Sequence, residues 1–301
     1  MNPRYPVYIP SKGRWESRLT MKTLDRMGVP YLVTVEPQEF EAYAEVIPSD
    51  KLLKLPFSNL GQGSIPARNF IWDHAVAAGH SRHWILDDNI GGFNRMNRNR
   101  QHRVASGTIF RCAEDFVDRY ENIALAGFQY DFFLKSKWPW PAFIVNTRIY
   151  SCILIDNSIN FRWRGRYNED TDLSLRVLKA GYATVLFYAF TQEKATTMTM
   201  KGGNTDSLYV EDGRLKMAQS LAEQHPDCAR ITEKWGRFQH QVDYSRFKKN
   251  YLKLKAGIAL DRKVNNYGMV LVEKNKQKHE QNNEQTVRRQ ELVSEQVDWQ
   301  E

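Results

Sequence analysis

The chain has 301 residues, 42% hydrophobic and 12% aromatic, enough to bury a large core and too apolar for global disorder. Its 43 lysines and arginines against 35 aspartates and glutamates give a formal charge of +8, and the excess lies ahead of residues 274–301, which hold five basic and six acidic residues. Three widely spaced cysteines, Cys112, Cys152 and Cys228, with no CxxC pair argue against a zinc or dithiol site.

A positive field favours polyanions, either nucleic acid or a phosphorylated cofactor, although a solvated basic surface would look the same. No early segment has the makeup of a leader, and no run reaches the roughly 18 apolar residues of a membrane span. The expectation is a cytoplasmic protein without membrane association.

Residues 5–10 predict a strand, 11–14 a turn, 15–27 a helix and 30–35 a second strand, a β-α-β opening. A helix over 39–46, a short strand over 51–55 and a flexible loop over 59–64 follow. Pro66 opens a helix over 66–78 that stops near Gly79, and the strand 83–86 comes next. Residues 94–103 are polar and basic, 107–120 helical, 124–128 a strand and 132–141 a proline-interrupted loop. A strand over 150–155, a helix over 168–180 closed by Gly181, a strand over 184–190 and a flexible stretch over 196–206 complete an α/β pattern. Beyond Leu208 the chain reads as largely helical, with a basic section over 246–255 and a polar tail from Lys274. The division expected is therefore a catalytic domain over 1–207, a helical extension over 208–273 and a charged tail over 274–301.

Three constellations carry chemistry. The apolar run Trp84-Ile85-Leu86 empties into Asp87, Asp88 and Asn89, hard oxygen ligands suited to Mg²⁺ or Mn²⁺ and, through it, a diphosphate. A turn or helix cap would use the same residue types. Arg68, beside Asn69 on the preceding helix, is placed to meet phosphate or a nucleobase, unless it simply faces solvent. Glu169 and Asp170 stand at a helix start, where a carboxylate can take the proton of an attacking hydroxyl; helix N-termini also favour acidic residues on electrostatic grounds alone. Asp172 and Arg176, four residues apart, can pair along the helix.

In this order the pieces resemble glycosyltransferases of the GT-A fold, over roughly the first 200 residues. The stretch Tyr8-Ile-Pro-Ser-Lys-Gly-Arg14 together with Ile85-Leu-Asp-Asp-Asn89 is most similar to the TET-associated glycosyltransferase family of bacteriophages. The resemblance implies a GT-A-like, mostly parallel sheet flanked by helices, with the largely helical part after it. It also implies transfer of a sugar from a nucleotide donor, expected to be UDP-linked, to a 5-hydroxymethylpyrimidine in double-stranded DNA, 5-hydroxymethylcytosine first, in the host cytoplasm.

Carried over residue by residue, Ser11, Lys12 and Arg14 line the nucleotide pocket, Arg68 contacts base or diphosphate, and Asp87 with Asp88 serves ribose and metal. Asp88 and Asn89 are the metal ligands; the family pattern has an aspartate at the third position, and the amide of Asn89 adds no charge. Asp170 is the first candidate for general base and Glu169 the second. Arg95, Arg98, Arg100 and Arg103, with Arg162, Arg164 and Arg166, would grip DNA phosphates, or else belong to two solvated loops. Phe132, Phe133, Trp138 or Trp140 would stack on an extruded base or fill its gap, or simply pack their own loop. Two rival readings stay open at this point: a glycan or protein acceptor on the same fold, and a nucleic-acid-binding protein without catalysis.

Overall fold

The computed structural model describes residues 1–134, 140–195, 213–234, 236–259, 263, 264 and 270. Residues Met1–Lys255 form one compact unit and Ala256–Glu301 a second. The first unit is built on a ten-stranded sheet in the order β3-β2-β1-β4-β9-β7-β10-β5-β6, with β8 pairing to β10.

In chain order the sheet strands are β1 (Val7–Pro10), β2 (Leu32–Val35), β3 (Leu52–Lys54), β4 (Arg82–Leu86), β5 (Ile90–Asn97), β6 (Arg100–Arg103), β7 (Ile123–Tyr130), β8 (Phe143–Val145), β9 (Cys152–Asp156) and β10 (Ala183–Lys194). Seven of them, β1, β2, β3, β4, β6, β7 and β10, run the same way, so the expected mostly parallel α/β sheet is present. Among the described residues the α-helices of this unit are α1 (Leu19–Met27), α2 (Phe40–Ala44), α3 (Ile65–Ala77), α4 (Thr108–Val117), α5 (Glu169–Lys179) and α6 (Gly213–Gln224).

Strand periodicity puts alternate residues of β4 on opposite faces. Ile85 joins a buried cluster with Tyr8, Ile71 and Trp72 of α3 and Leu173 and Val177 of α5. Trp84 meets Phe110 of α4 edge-on at 5.1 Å, with Phe93 and Phe128 alongside. Both faces of the central strands are therefore covered, which is why these strands read as continuous apolar runs. A third cluster, Leu175, Leu178, Leu221, Cys228, Ala229 and Phe247, fixes α6 to the outer side of α5. The three cysteines are free and buried.

Four elements differ from the sequence expectation. The basic stretch 94–103 belongs to the hairpin β5–β6, turned by Arg98 and Asn99 with φ of 49° and 59°. Two successive left-handed residues make the turn whose twist suits a hairpin, here without the glycine that usually announces it. β8 is too short to carry a pattern. β10 continues four residues past Phe190. After α6 the expected helical extension gives way to a second hairpin, β11 (Ala229–Lys234) and β12 (Arg237–Val242). Its alternation of charged and apolar residues has strand period, and Gly236 supplies a turn φ of 67°. The stretch 196–206, Trp138 and the tail 274–301 lie outside the described residues.

Candidate active site

Parallel strands deliver their last residues to one edge of the sheet, and that edge is where open α/β sheets bind ligands. Ser11 follows β1, Asp87 and Asp88 follow β4, Tyr130 closes β7 and Lys194 closes β10. Antiparallel β9 begins at the same edge, where the carbonyl of Ser151 accepts the Asp87 N–H at 2.7 Å.

Asp88 is buried, and both its oxygens are engaged: Ser11 Oγ donates to Oδ2 at 2.8 Å and Arg14 pairs with Oδ1. Tyr43 holds this corner, its hydroxyl 2.7 Å from Ser11 Oγ and 3.1 Å from the Arg14 backbone nitrogen, whose N–H it accepts. Burial pushes the Asp88 carboxyl up, with Arg14 and Ser11 opposing.

Asp87 is engaged in the same way. Arg68 Nη2 donates to Oδ1 at 2.8 Å and Lys194 Nζ to Oδ2 at 2.7 Å. Burial alone would raise this carboxyl, yet Lys194 and Arg68 outweigh it and hold Asp87 well below the usual carboxylate range. Lys194 also donates to Ser151 Oγ at 2.7 Å and Tyr130 OH at 3.3 Å. Burial would depress the Lys194 ammonium, and Asp87 more than reverses that.

Arg68 is 5% exposed and stacks its guanidinium 4.7 Å from the Trp163 ring centre. Its Nε lies 3.9 Å from Glu169 Oε1, and neither Nε nor Nη1 has a hydrogen-bond partner among the described residues. Buried donors left without a partner cost about 1–3 kcal/mol each. Glu169 accepts from Ser64 Oγ at 3.1 Å, and burial pushes its carboxyl up against the pull of Arg68. Next to it, Asp170 uses Oδ1 to accept the Thr171 N–H at 2.6 Å. That bond fixes the carboxylate and leaves Oδ2 open among the described residues.

Beside this edge lies a cavity of about 350 Å³ lined by Gln129, Phe133, Trp140, Arg148, Tyr150 and Tyr188, among others. Arg148 lies over the Tyr150 ring at 4.9 Å, and both are within electrostatic reach of Asp170. The Tyr150 ring is 4.5 Å from that of Tyr130, so the cavity adjoins the Asp87–Lys194 pair. Phe132 is exposed and stacks on Tyr130 at 5.3 Å.

Ser11, Arg14, Arg68, Asp87, Asp88, Glu169 and Asp170 are thus gathered at one edge. The Lys12 ammonium lies 2.6 Å from Glu36, which follows β2, and 2.9 Å from Asn59. Arg95, Arg98, Arg100 and Arg103 stand exposed on the β5–β6 hairpin at the end of the sheet, with Arg103 paired to Glu193 at 2.6 Å. Arg162 pairs with Asp73 at 2.9 Å, Arg164 with Asp172 at 3.0 Å, and Arg166 lies 6.0 Å from the Tyr167 ring centre. Arg162 and Arg164 are accordingly tied into ion pairs of the fold. Lys194, Tyr130, Ser151, Tyr43 and Arg148 escaped the sequence reading.

Asp88 and Asn89 do not fit a divalent cation. The Asp88 oxygens are held by Arg14 and Ser11, and the buried Asn89 Oδ1, which has no partner, is an uncharged ligand. His225, Asp227 and Cys228 bring ligand-type atoms within 4.8 Å of one another. Both His225 nitrogens are taken there, by Asp172 and Lys179, each at 2.9 Å.

A family model described as TET-Associated Glycosyltransferase matches residues 5–203. No curated protein matches the chain. Among solved structures the chain is similar to a protein described as a nucleotide-diphospho-sugar transferase from Desulfovibrio desulfuricans G20, at 10% identity and TM-score 0.35, covering 62% of this chain and 80% of that one. It is also similar to mannose-6-phosphate isomerase from Helicobacter pylori, at 7% identity and TM-score 0.28, covering 84% of this chain and 94% of that one.

Proposed function

The chain belongs to the TET-associated glycosyltransferase family and is a glycosyltransferase, and we propose that it moves a sugar from a nucleotide donor to the hydroxyl of 5-hydroxymethylcytosine in double-stranded DNA. The observation that carries the donor half is Arg68, which pairs with Asp87, lies 3.9 Å from Glu169 and keeps two buried donors, Nε and Nη1, without a hydrogen-bond partner among the described residues. A diphosphate satisfies both donors, and the nucleotide, expected to be UDP, then lies toward Ser11 and Asp88. No step passes through a divalent ion.

The acceptor hydroxyl attacks the anomeric carbon, its proton passes to Asp170 Oδ2, and the bond to the diphosphate breaks with its electron pair leaving on the nucleotide. Direct displacement with a carboxylate base inverts the anomeric centre. The DNA half is supported by the family, by the basic charge and by the aromatic cavity beside Asp170, which has room for a pyrimidine turned out of the stack. Among the described residues no helix is long and apolar enough to cross a membrane, and we assign the reaction to the cytoplasm that holds the DNA.

The test is incubation with a panel of nucleotide sugars and duplex DNA containing 5-hydroxymethylcytosine, read as nucleoside mass. A sugar-sized gain on that nucleoside alone is expected. Donor consumption with unchanged nucleosides would move the acceptor away from DNA. The phosphate grip is assigned to Arg95, Arg98 and Arg100, which the fold leaves exposed. Arg98→Ala combined with Arg100→Ala is expected to weaken duplex binding about tenfold and to lower its salt slope by about 2, measured by fluorescence anisotropy across a salt series. The same double change at Arg162 and Arg164 is expected to lower the melting temperature instead.

A further inference from the structure

We propose that Lys194 does the work a divalent cation does in metal-dependent sugar transfer, so that donor binding and transfer proceed without metal. The proposal rests on the nucleotide-sugar reading above.

A hard cation needs several oxygen ligands with free lone pairs, carboxylates first. Here every carboxylate oxygen of the acidic pair after β4 already faces a donor, three of the four a cationic one. Asp87 Oδ1 and Oδ2 accept from Arg68 and Lys194 at 2.8 and 2.7 Å, and Asp88 Oδ1 and Oδ2 from Arg14 and Ser11. An entering ion would have to expel one of three cationic side chains that the fold positions independently: Arg14 after β1, Arg68 on α3, Lys194 at the end of β10. Those side chains already place fixed positive charge where leaving-group charge develops.

Of the three, Lys194 is the one whose position and donors suit the departing oxygen. An ammonium has three donors, and Asp87 and Ser151 hold it at 2.7 Å each, with Tyr130 OH at 3.3 Å. Ser151 and Tyr130 are neutral and replaceable partners, so a diphosphate oxygen can take a donor that a hydroxyl now accepts while Asp87 keeps the ammonium in place. As the anomeric C–O bond breaks and its electron pair passes to the diphosphate, Lys194 stabilises the new charge through that hydrogen bond. The acceptor's proton goes to Asp170, and the ammonium keeps its own.

The test is calorimetric titration of uridine and guanosine diphosphate into the full chain, once with EDTA and once with millimolar Mn²⁺, for wild type, Lys194→Ala and Lys194→Arg, with each variant's melting curve taken alongside. Wild type is expected to bind one of them with affinities equal within about twofold in the two buffers. Lys194→Ala is expected to bind at least about tenfold more weakly, the loss of one hydrogen bond to a charged group, and Lys194→Arg to recover most of it. Binding that needs Mn²⁺, or that Mn²⁺ strengthens tenfold or more, overturns the proposal and leaves the donor reading standing. Wild-type affinity in a folded Lys194→Ala protein overturns it too. Failure of both nucleotides in both buffers overturns the donor reading and this proposal together.

Discussion

Asp170→Asn is expected to slow sugar transfer about 10²–10⁴-fold, about 3–5 kcal/mol of barrier, while leaving donor affinity within about threefold. The size follows from what the change removes. The amide keeps the shape and the oxygen that accepts the Thr171 N–H, but it cannot take a proton. Glu169→Gln separates the two carboxylates. Glu169 is bonded to Ser64 and lies 3.9 Å from Arg68, so its loss is expected to disturb the arginine and raise KM more than it lowers kcat. Single-turnover rates with calorimetric donor affinities check both. A kcat collapse in Glu169→Gln beside an active Asp170→Asn would exchange the two assignments.

The second large effect falls on stability. Asp172, in the first turn of α5, is fully buried and gathers Arg164 at 3.0 Å, Arg176 at 2.7 Å and His225 at 2.9 Å, joining the loop before α5 to the end of α6. Asp172→Asn takes the anion from these partners, and breaking a buried pair this way costs about 3–5 kcal/mol. A melting temperature lowered on the order of 10 °C is expected by calorimetry.

The same group sets an acid limit. Burial would raise its carboxyl, but His225, Arg164 and Arg176 outweigh burial and hold it at about 2 against an ordinary 3.8. A depressed folded value stabilises above the unfolded one, and the stabilisation disappears as pH falls through the folded one. Stability of about 2 kcal/mol is therefore expected to be lost between about pH 4 and pH 2, and Asp172→Asn to flatten that window in pH-resolved denaturant titrations.

What the sequence disclosed followed from burial. The strand ending at Leu86 and the helix opened by Pro66 are buried among strands and helices, so their apolar pattern and punctuation survive in the residue order. Asp87, Asp88, Arg68 and the Glu169–Asp170 pair were legible because charged residues at such ends are costly unless something uses them. Lys194 was not. It ends β10 after Thr191 and Gln192, polar residues that are wholly buried because β5 and β7 flank them and Gln192 donates to the Phe128 and Tyr150 carbonyls. Partners 42 and 64 residues away made that strand, and no local pattern announces them. The β5–β6 hairpin hid for another reason, a turn made of Arg98 and Asn99 where glycine is the usual sign.

The central claim is that the carboxyl edge of the sheet binds the donor and presents it to Asp170. A crystal structure of the protein with uridine diphosphate tests it most directly. The account predicts diphosphate oxygens bonded to Arg68 Nε and Nη1 and to Lys194, with Asp170 on the far side of the donor-sugar space, opposite the leaving group. Nucleotide density away from β1 and β4, with Arg68 still unpartnered, would contradict it.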